Sequence, residues 1–324
     1  MTTLTETRFA YGDALLKLGA ENRQVVVLDA DLYKSTRTVL FKEAYPDRFF
    51  DMGISEADMV STAAGLASTG LIPYCNSFAI FLPGICYVPI RTQIAYPKLP
   101  VRLVGSSAGL TQGSDGASHQ SLEDISLMRG LPNLTVLSPA DDLETTQMTL
   151  ATAALPGPVY MRVGRYPVPR VMPDDYHFQV GKAHVLRSGG DATIFATGHM
   201  VWKALEAADL LDRAHIAASV VNVSTIKPLD VSLICLIAHQ ASLVVTVEEH
   251  SIIGGLGSAI AECLLENGNS RRLLRLGVRD VFGESGSADE LLEKHGLQPE
   301  SIAASIQAAL PRLVTRKQSA MNEE

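Results

Sequence analysis

After Gln24 the chain runs Val25-Val-Val-Leu28 without a polar side chain, then breaks to Asp29. Such a run reads as a strand buried on both faces, and a strand of that kind belongs in a parallel sheet covered by helices. Parallel neighbours cannot be joined by a tight turn. Each needs a crossover of a dozen or more residues, usually helical. The first half of the chain supplies these crossovers in order. Helical patterns are expected at residues 6–19, at 38–45 (stopped by Pro46), after Glu56 to Gly70, within 84–96, at 122–129 and at 143–154. Between them stand short apolar strands at 24–28, 71–74, 101–104, 135–137 and 159–163. Strand and helix alternate throughout, which specifies a doubly wound α/β domain over residues 1–166.

Pro167, Pro169 and Pro173 then interrupt an irregular polar stretch, read as a linker over 167–190. The alternation restarts in 191–324, with strands expected at 192–196, 217–221, 243–247 and 273–276. Helices are expected at 200–211, 231–239, 256–265, 289–294 and 301–310. This is a second, smaller α/β domain. A length of 324 residues with 47% apolar content is enough for two cores, and 19% charged residues argues against disorder.

Several classes are disfavoured. The net charge is −8 with no dense Lys/Arg stripe, which makes nucleic acid and anionic membrane poor partners. No apolar run approaches the ~18–20 residues of a membrane span. The N-terminal residues lack a basic region followed by an apolar core, so a cytoplasmic location is expected. Cys75, Cys86, Cys235 and Cys263 form no C-x-x-C pair and read as reduced, buried thiols.

Four groups of residues collect where strands hand over to loops, the places at which open α/β sheets bind ligands. The first is Asp29-Ala-Asp31-Leu-Tyr-Lys-Ser35. The second is Glu56, placed by Ser55 as N-cap in the first turn of a helix whose Met59, Val60, Ala63, Ala64 and Ala67 share one face. A first-turn acid commonly just complements the helix dipole. Among Gly53, Ala57 and apolar neighbours, however, a carboxylate is poorly solvated, and an acid that shares a proton is what a catalytic site needs. The third group is Ser77-Phe78-Ala-Ile-Phe81, whose rings could equally be core. The fourth is the Gly-rich loop Gly113-Ser-Asp115-Gly116-Ala-Ser-His119, in which Asp115 and His119 could be simple loop hydrogen bonds.

Taken together these pieces resemble the transketolases, enzymes that use thiamine diphosphate. The resemblance runs through Arg8-Phe-Ala-Tyr-Gly12, Ala30-Asp31-Leu32 with Ser35, Gly53-Ile-Ser-Glu56, Ser77-Phe-Ala-Ile-Phe81, Asp115-Gly-Ala-Ser-His119-Gln120, Glu123-Asp124 and Arg165. Val247-Glu-Glu-His-Ser251 and Gly254-Gly-Leu-Gly257 continue it into the second domain. It implies a pyrimidine-binding domain followed by a smaller transketolase C-terminal domain. Glu56 would then hydrogen-bond N1′ of the aminopyrimidine ring, favouring the imino tautomer that removes the thiazolium C2 proton. A two-carbon ketol unit would pass from a ketose to an aldehyde. The resemblance implies cofactor contacts at Asp31, Glu56, Phe78 and Phe81, with Glu56 and His119 catalytic. It also implies substrate contacts at Arg8, Ser35, Asp115, His119 and Arg165.

In that family Mg²⁺ and the diphosphate are held by a Gly-Asp-Gly stretch with a later Asn, and neither is found here. Metal ligands are therefore expected from a partner, and none from this chain. The resemblance thus implies the C-terminal subunit of a split transketolase, self-dimerising within an α2β2 assembly and paired with an N-terminal subunit. Ser107, Ser114 and Ile85 stand where the family usually has His, Glu and a basic residue, so the sugar is left open.

Rival readings remain. The β subunit of 2-oxo acid dehydrogenases and deoxyxylulose phosphate synthase share the plan and cofactor. Gly105-Ser-Ser107-Ala-Gly109 matches a nucleophile elbow, with Ser107 as nucleophile and His250 as distant base, but the elbow must run straight into a helix. Gly255-Leu-Gly257 partly imitates a dinucleotide fingerprint. His119 and Glu123 form a weak metal pair.

Overall fold

The computed structural model describes residues 3–310. In chain order the N-terminal half contains β1 (Leu4–Glu6), α1 (Thr7–Glu21), β2 (Val25–Asp29), α2 (Val39–Ala44), β3 (Phe49–Asp51), α3 (Glu56–Ser68) and β4 (Ile72–Phe78). Then follow α4 (Phe81–Ile85), α5 (Tyr87–Pro89), β5 (Arg102–Ser106), α6 (Asp124–Arg129), β6 (Thr135–Leu137), α7 (Asp142–Thr152) and β7 (Val159–Arg162). The C-terminal half adds β8 (Pro167–Pro169), β9 (His184–Arg187), β10 (Ala192–Ala196), α8 (Met200–Arg213), β11 (Ala218–Asn222) and β12 (Thr225–Lys227). It closes with α9 (Val231–Gln240), β13 (Leu243–Ser251), α10 (Leu256–Glu266), β14 (Arg272–Val278), α11 (Ala288–Lys294) and α12 (Pro299–Ala309).

The larger sheet has the order β12-β6-β7-β5-β4-β2-β3, and every pair in it is parallel except β12 with β6. The smaller sheet, β14-β13-β10-β11-β9, is parallel except for the edge strand β9. All five residues of β2 are buried, as are those of β5, β10 and β11, the pattern of strands covered on both faces. The mixed, doubly wound α/β plan expected from the sequence is therefore the fold.

Three features were not legible. Strand β12 comes from the C-terminal half yet completes the larger sheet, pairing Thr225 with Leu137. The stretch 165–190 holds β8, which pairs with β1, and β9 on the smaller sheet. The expected helix within 84–96 is broken: α4 stops at Ile85, α5 is a single turn ending at Pro89, and Ile90–Ala95 winds as a wider π-type turn.

Two strands outrun their sequence signal for one reason. β4 continues through Cys75-Asn-Ser-Phe78, and β13 through Glu248-Glu-His-Ser251. Polar residues look like strand ends, but here each has at least one internal hydrogen-bond partner. Asn76 accepts from Tyr11 Oη at 2.5 Å and donates to the carbonyls of Leu28 and Tyr74.

Arg102 on β5 is 2% exposed and closes the end of α7, donating to the carbonyls of Gly157 (2.8 Å), Ala153 (3.4 Å) and Leu155 (2.6 Å). Arg102→Met keeps the apolar stem but leaves those carbonyls unpaired. It should cost about 2–4 kcal/mol in denaturant unfolding. A loss below about 0.5 kcal/mol would show that water replaces the guanidinium.

Candidate active site

Helix α3 begins at Glu56, as the sequence pattern requires. Ser55 occupies the N-cap position, but its hydroxyl makes no capping bond. Glu56 is only 6% exposed, and Ser77, at the carboxyl end of β4, donates its hydroxyl to Oε1 at 2.8 Å. Among the described residues no hydrogen bond engages Oε2. The next residue, Phe78, is buried and stacks on half-buried Phe81, with centroids 6.1 Å apart and planes inclined at 27°. The His119 ring stands edge-on to both, at 6.1 Å from Phe78 and 5.2 Å from Phe81, and its Nδ1 lies 3.0 Å from Ser118 Oγ. Phe78, Phe81 and His119 thus cluster, and Glu56 is bonded to Ser77, the residue before Phe78. Ser77, which heads the third group read from the sequence but was given no role there, makes the bond to Glu56. Burial, then the Glu56 carboxylate, push the neighbouring Cys86 thiol up to about 12, so that thiol is inert at neutral pH.

The loop after β2 is shaped from below. Asp29, fully buried, accepts from Leu32 N (2.6 Å), Thr36 Oγ1 (2.7 Å) and Thr38 Oγ1 (2.8 Å). Those bonds hold Asp31 exposed in a left-handed conformation (φ 60°). Ser35 offers its carbonyl to Arg8 at 2.8 Å, and Arg8 also binds Glu6 Oε2 at 2.5 Å. Asp115 and Arg165 meet each other: Arg165 donates to Asp115 Oδ2 at 3.3 Å, and Gln112 donates to the same oxygen at 2.6 Å. The nine candidate residues therefore fall into three groups, of which Glu56, Phe78, Phe81 and His119 form the first.

A further buried polar group escaped the sequence reading. Arg162 on β7 binds Asp124 Oδ2 at 2.9 Å and the Glu249 carbonyl at 2.8 Å, and Tyr160 donates to Asp124 at 2.7 Å. The Glu249 carboxylate accepts from Thr111 N, with His199 Nε2 3.3 Å away. Burial pushes the Glu249 carboxyl up to about 7, with Arg162 pulling the other way, and drives His199 down to about 3.

The rival sites do not assemble. Ser107 has the positive φ of an elbow (56°), but among the described residues its buried hydroxyl has no hydrogen-bond partner, and a 3₁₀ turn follows it. His250 binds the Ser251 carbonyl instead. The start of α10 is already filled: Glu248 accepts from Leu256 N and Gly257 N, both at 2.7 Å, leaving no anion site there. No group of three potential metal ligands occurs among the described residues, His119 and Glu123 included.

Comparison with known proteins gives concordant matches. Residues 4–170 match the family described as "Transketolase, pyrimidine binding domain", and residues 181–302 match "Transketolase, C-terminal domain". A Methanocaldococcus jannaschii chain, provisionally named a transketolase C-terminal section, is 46% identical over 92% of this chain and 94% of its own length. The 6-deoxy-6-sulfo-D-fructose transketolase subunit of Clostridium sp. is 43% identical, covering 91% of each chain. A solved structure described as "Split gene transketolase, inactive beta4 tetramer" superposes with a TM-score of 0.86 at 48% identity, over 94% of this chain and 98% of that one.

Burial raises the Asp29 carboxyl from 3.8 to about 6, against the hydrogen bonds it accepts. Between those values the folded state binds the proton more readily than the unfolded one. Its contribution is therefore full below pH 3.8 and is lost as pH rises through about 6. Asp29→Asn should cost about 1–3 kcal/mol at pH 7. Because the variant lacks the titration, the gap in melting temperature from wild type should narrow between pH 4 and pH 7. A gap that widens over that range would refute the burial of this charge as the cause.

Proposed function

The chain belongs to the transketolase family, as the C-terminal subunit of a split transketolase, and from that premise we propose that it carries the proton-sharing half of a thiamine-diphosphate site. The reaction is transfer of a two-carbon ketol unit from a ketose, or ketose phosphate, to an aldehyde acceptor. The observation that carries this reading is the buried Glu56, fixed by Ser77 beside the Phe78/Phe81 pair and His119 at the carboxyl end of a parallel sheet.

The residues fit the cofactor's aminopyrimidine. Glu56 keeps Oε2 uncommitted among the described residues, and the stacked Phe78 and Phe81 rings, which follow Ser77 in the chain, would wall the aminopyrimidine. When bound, the cofactor supplies the electron sink for breaking and making the carbon–carbon bond. The chain's own residues do the rest. Glu56 holds a proton at the pyrimidine N1′, and Ser77 fixes the direction in which the carboxylate points. Phe78 and Phe81 would orient the ring and keep water from it, and Asp31 would contact the cofactor on its thiazolium side. His119 and Asp115 bind the sugar's carbonyl and hydroxyls. Arg8, Ser35 and Arg165 receive a phosphate or other anionic group, for which an arginine fork is suited. Arg165 and Asp115 are both substantially exposed, so their ion pair is weak enough to yield to such a ligand.

The diphosphate and Mg²⁺ fall to a second polypeptide, an N-terminal subunit, in an α2β2 assembly. The relative described as an inactive β4 tetramer supports a C-terminal subunit that needs such a partner.

Reconstitution tests the proposal. The chain mixed with a diphosphate-binding transketolase subunit, thiamine diphosphate and Mg²⁺ should convert a ketose and an aldehyde into a sugar two carbons longer, without releasing CO₂. Glu56→Gln should lower kcat by about 10²–10⁴-fold. Full turnover by the chain alone, or an unaffected Glu56→Gln variant, would contradict it.

A further inference from the structure

The loop Gly109–Gln120 carries Asp115 and His119, yet much of what holds it comes from the other domain. Gln120 follows His119 directly and is 3% exposed. Its Nε2 donates to two carbonyls of the loop itself, Leu110 at 3.3 Å and Gly113 at 3.0 Å, and to the carbonyl of Glu284 in the C-terminal domain at 2.8 Å. Glu284 lies in the segment 279–287 between β14 and α11.

Glycines on both sides of this contact make room for it. A Cβ at Gly283 would fall 1.8 Å from Gln120 Oε1, one at Gly116 would fall 2.7 Å from Ser285 Oγ, and one at Gly113 would fall 3.4 Å from the Gly286 carbonyl. The start of the loop is gripped as well. Thr111 N donates to the Glu249 carboxylate, and a Cβ at Gly109 would lie 2.2 Å from that group. The far end of the loop is tied back at Gly116, whose carbonyl accepts from His119 N (2.9 Å) and Gln120 N (3.1 Å).

We propose that Gln120 is a positioning residue through which the segment Gly283–Gly286 of the C-terminal domain fixes the loop bearing Asp115 and His119. One side-chain NH2, with one hydrogen shared, binds the loop to itself at Leu110 and Gly113 and to the C-terminal domain at Glu284, so the loop cannot move off that domain without breaking the Glu284 bond. The C-terminal domain thereby acts on substrate recognition although, in this reading, none of its residues is assigned to the substrate. The placement of the loop is independent of the assigned reaction; the effect on turnover rests on the proposed function.

The test has two arms that fail separately. Gln120→Met keeps the side-chain volume and removes the amide, while Gly283→Ala disturbs the same contact from the opposite domain. Hydrogen–deuterium exchange on the full chain needs no activity. Amides of 109–119 should exchange roughly tenfold faster in each variant, with β4 and β10 unchanged. The double variant should be no looser than the singles. In the reconstituted complex KM for the ketose donor should rise roughly tenfold, with kcat within about threefold. Unchanged loop exchange in both variants would overturn the proposal. Loosening spread evenly over the whole domain would do the same, since Gln120 would then be ordinary scaffolding. An inactive wild-type complex with a loosened variant loop would sink the transketolase reading alone.

Discussion

The site depends on one carboxylate being folded into place before any ligand arrives. Glu56 starts a helix at the carboxyl end of a parallel sheet, where first-turn N–H groups favour negative charge and the sheet keeps water away. One serine hydroxyl takes one of its oxygens. A buried acid with a single fixed partner is held in direction yet retains an oxygen for another proton carrier. The stacked phenylalanines and the edge-on histidine form a cluster that starts at the residue after Ser77.

A second constraint joins the domains. Arg162 is 6% exposed and binds Asp124 of its own domain together with the backbone of Glu249 in the other. A guanidinium so buried is costly to desolvate, and here Asp124 meets Nε while the carbonyls of Ser121 and Glu249 meet Nη2. The same strand, β13, sends the Glu249 carboxylate onto the loop bearing the candidate substrate residues. With β12 inserted into the larger sheet, the two halves share both a sheet and a polar seam. The C-terminal domain is thus bonded to the loop that carries Asp115 and His119.

Much of the plan was legible because its signals are local. Apolar runs such as Val25–Leu28 and the alternation with helices need no knowledge of the partner strand. Glu56, Phe78, Phe81 and His119 could be picked out by residue type and position near strand ends; the structure clusters the last three and bonds Glu56 to Ser77, the chain neighbour of Phe78. What escaped depends on distant satisfaction of polar groups. Asn76 and Ser77 continue β4 only because Tyr11, Leu28 and Glu56 await them. Glu249 continues β13 because Thr111, 138 residues away, donates to it. β12 gives only a three-residue signal, and its place is set by the free edge of β6. Nor could the sequence show that Arg165 and Asp115 neutralise each other, or that Arg8 is engaged by Glu6.

The most direct measurement is an experimental structure of this chain assembled with a diphosphate-binding subunit, thiamine diphosphate and Mg²⁺. The expected result is an aminopyrimidine ring beside Phe78 and Phe81, with one ring nitrogen within hydrogen-bond distance of the Glu56 carboxylate and Ser77 still on its other oxygen. A Glu56 bathed in solvent, with the ring bound elsewhere, would contradict the account.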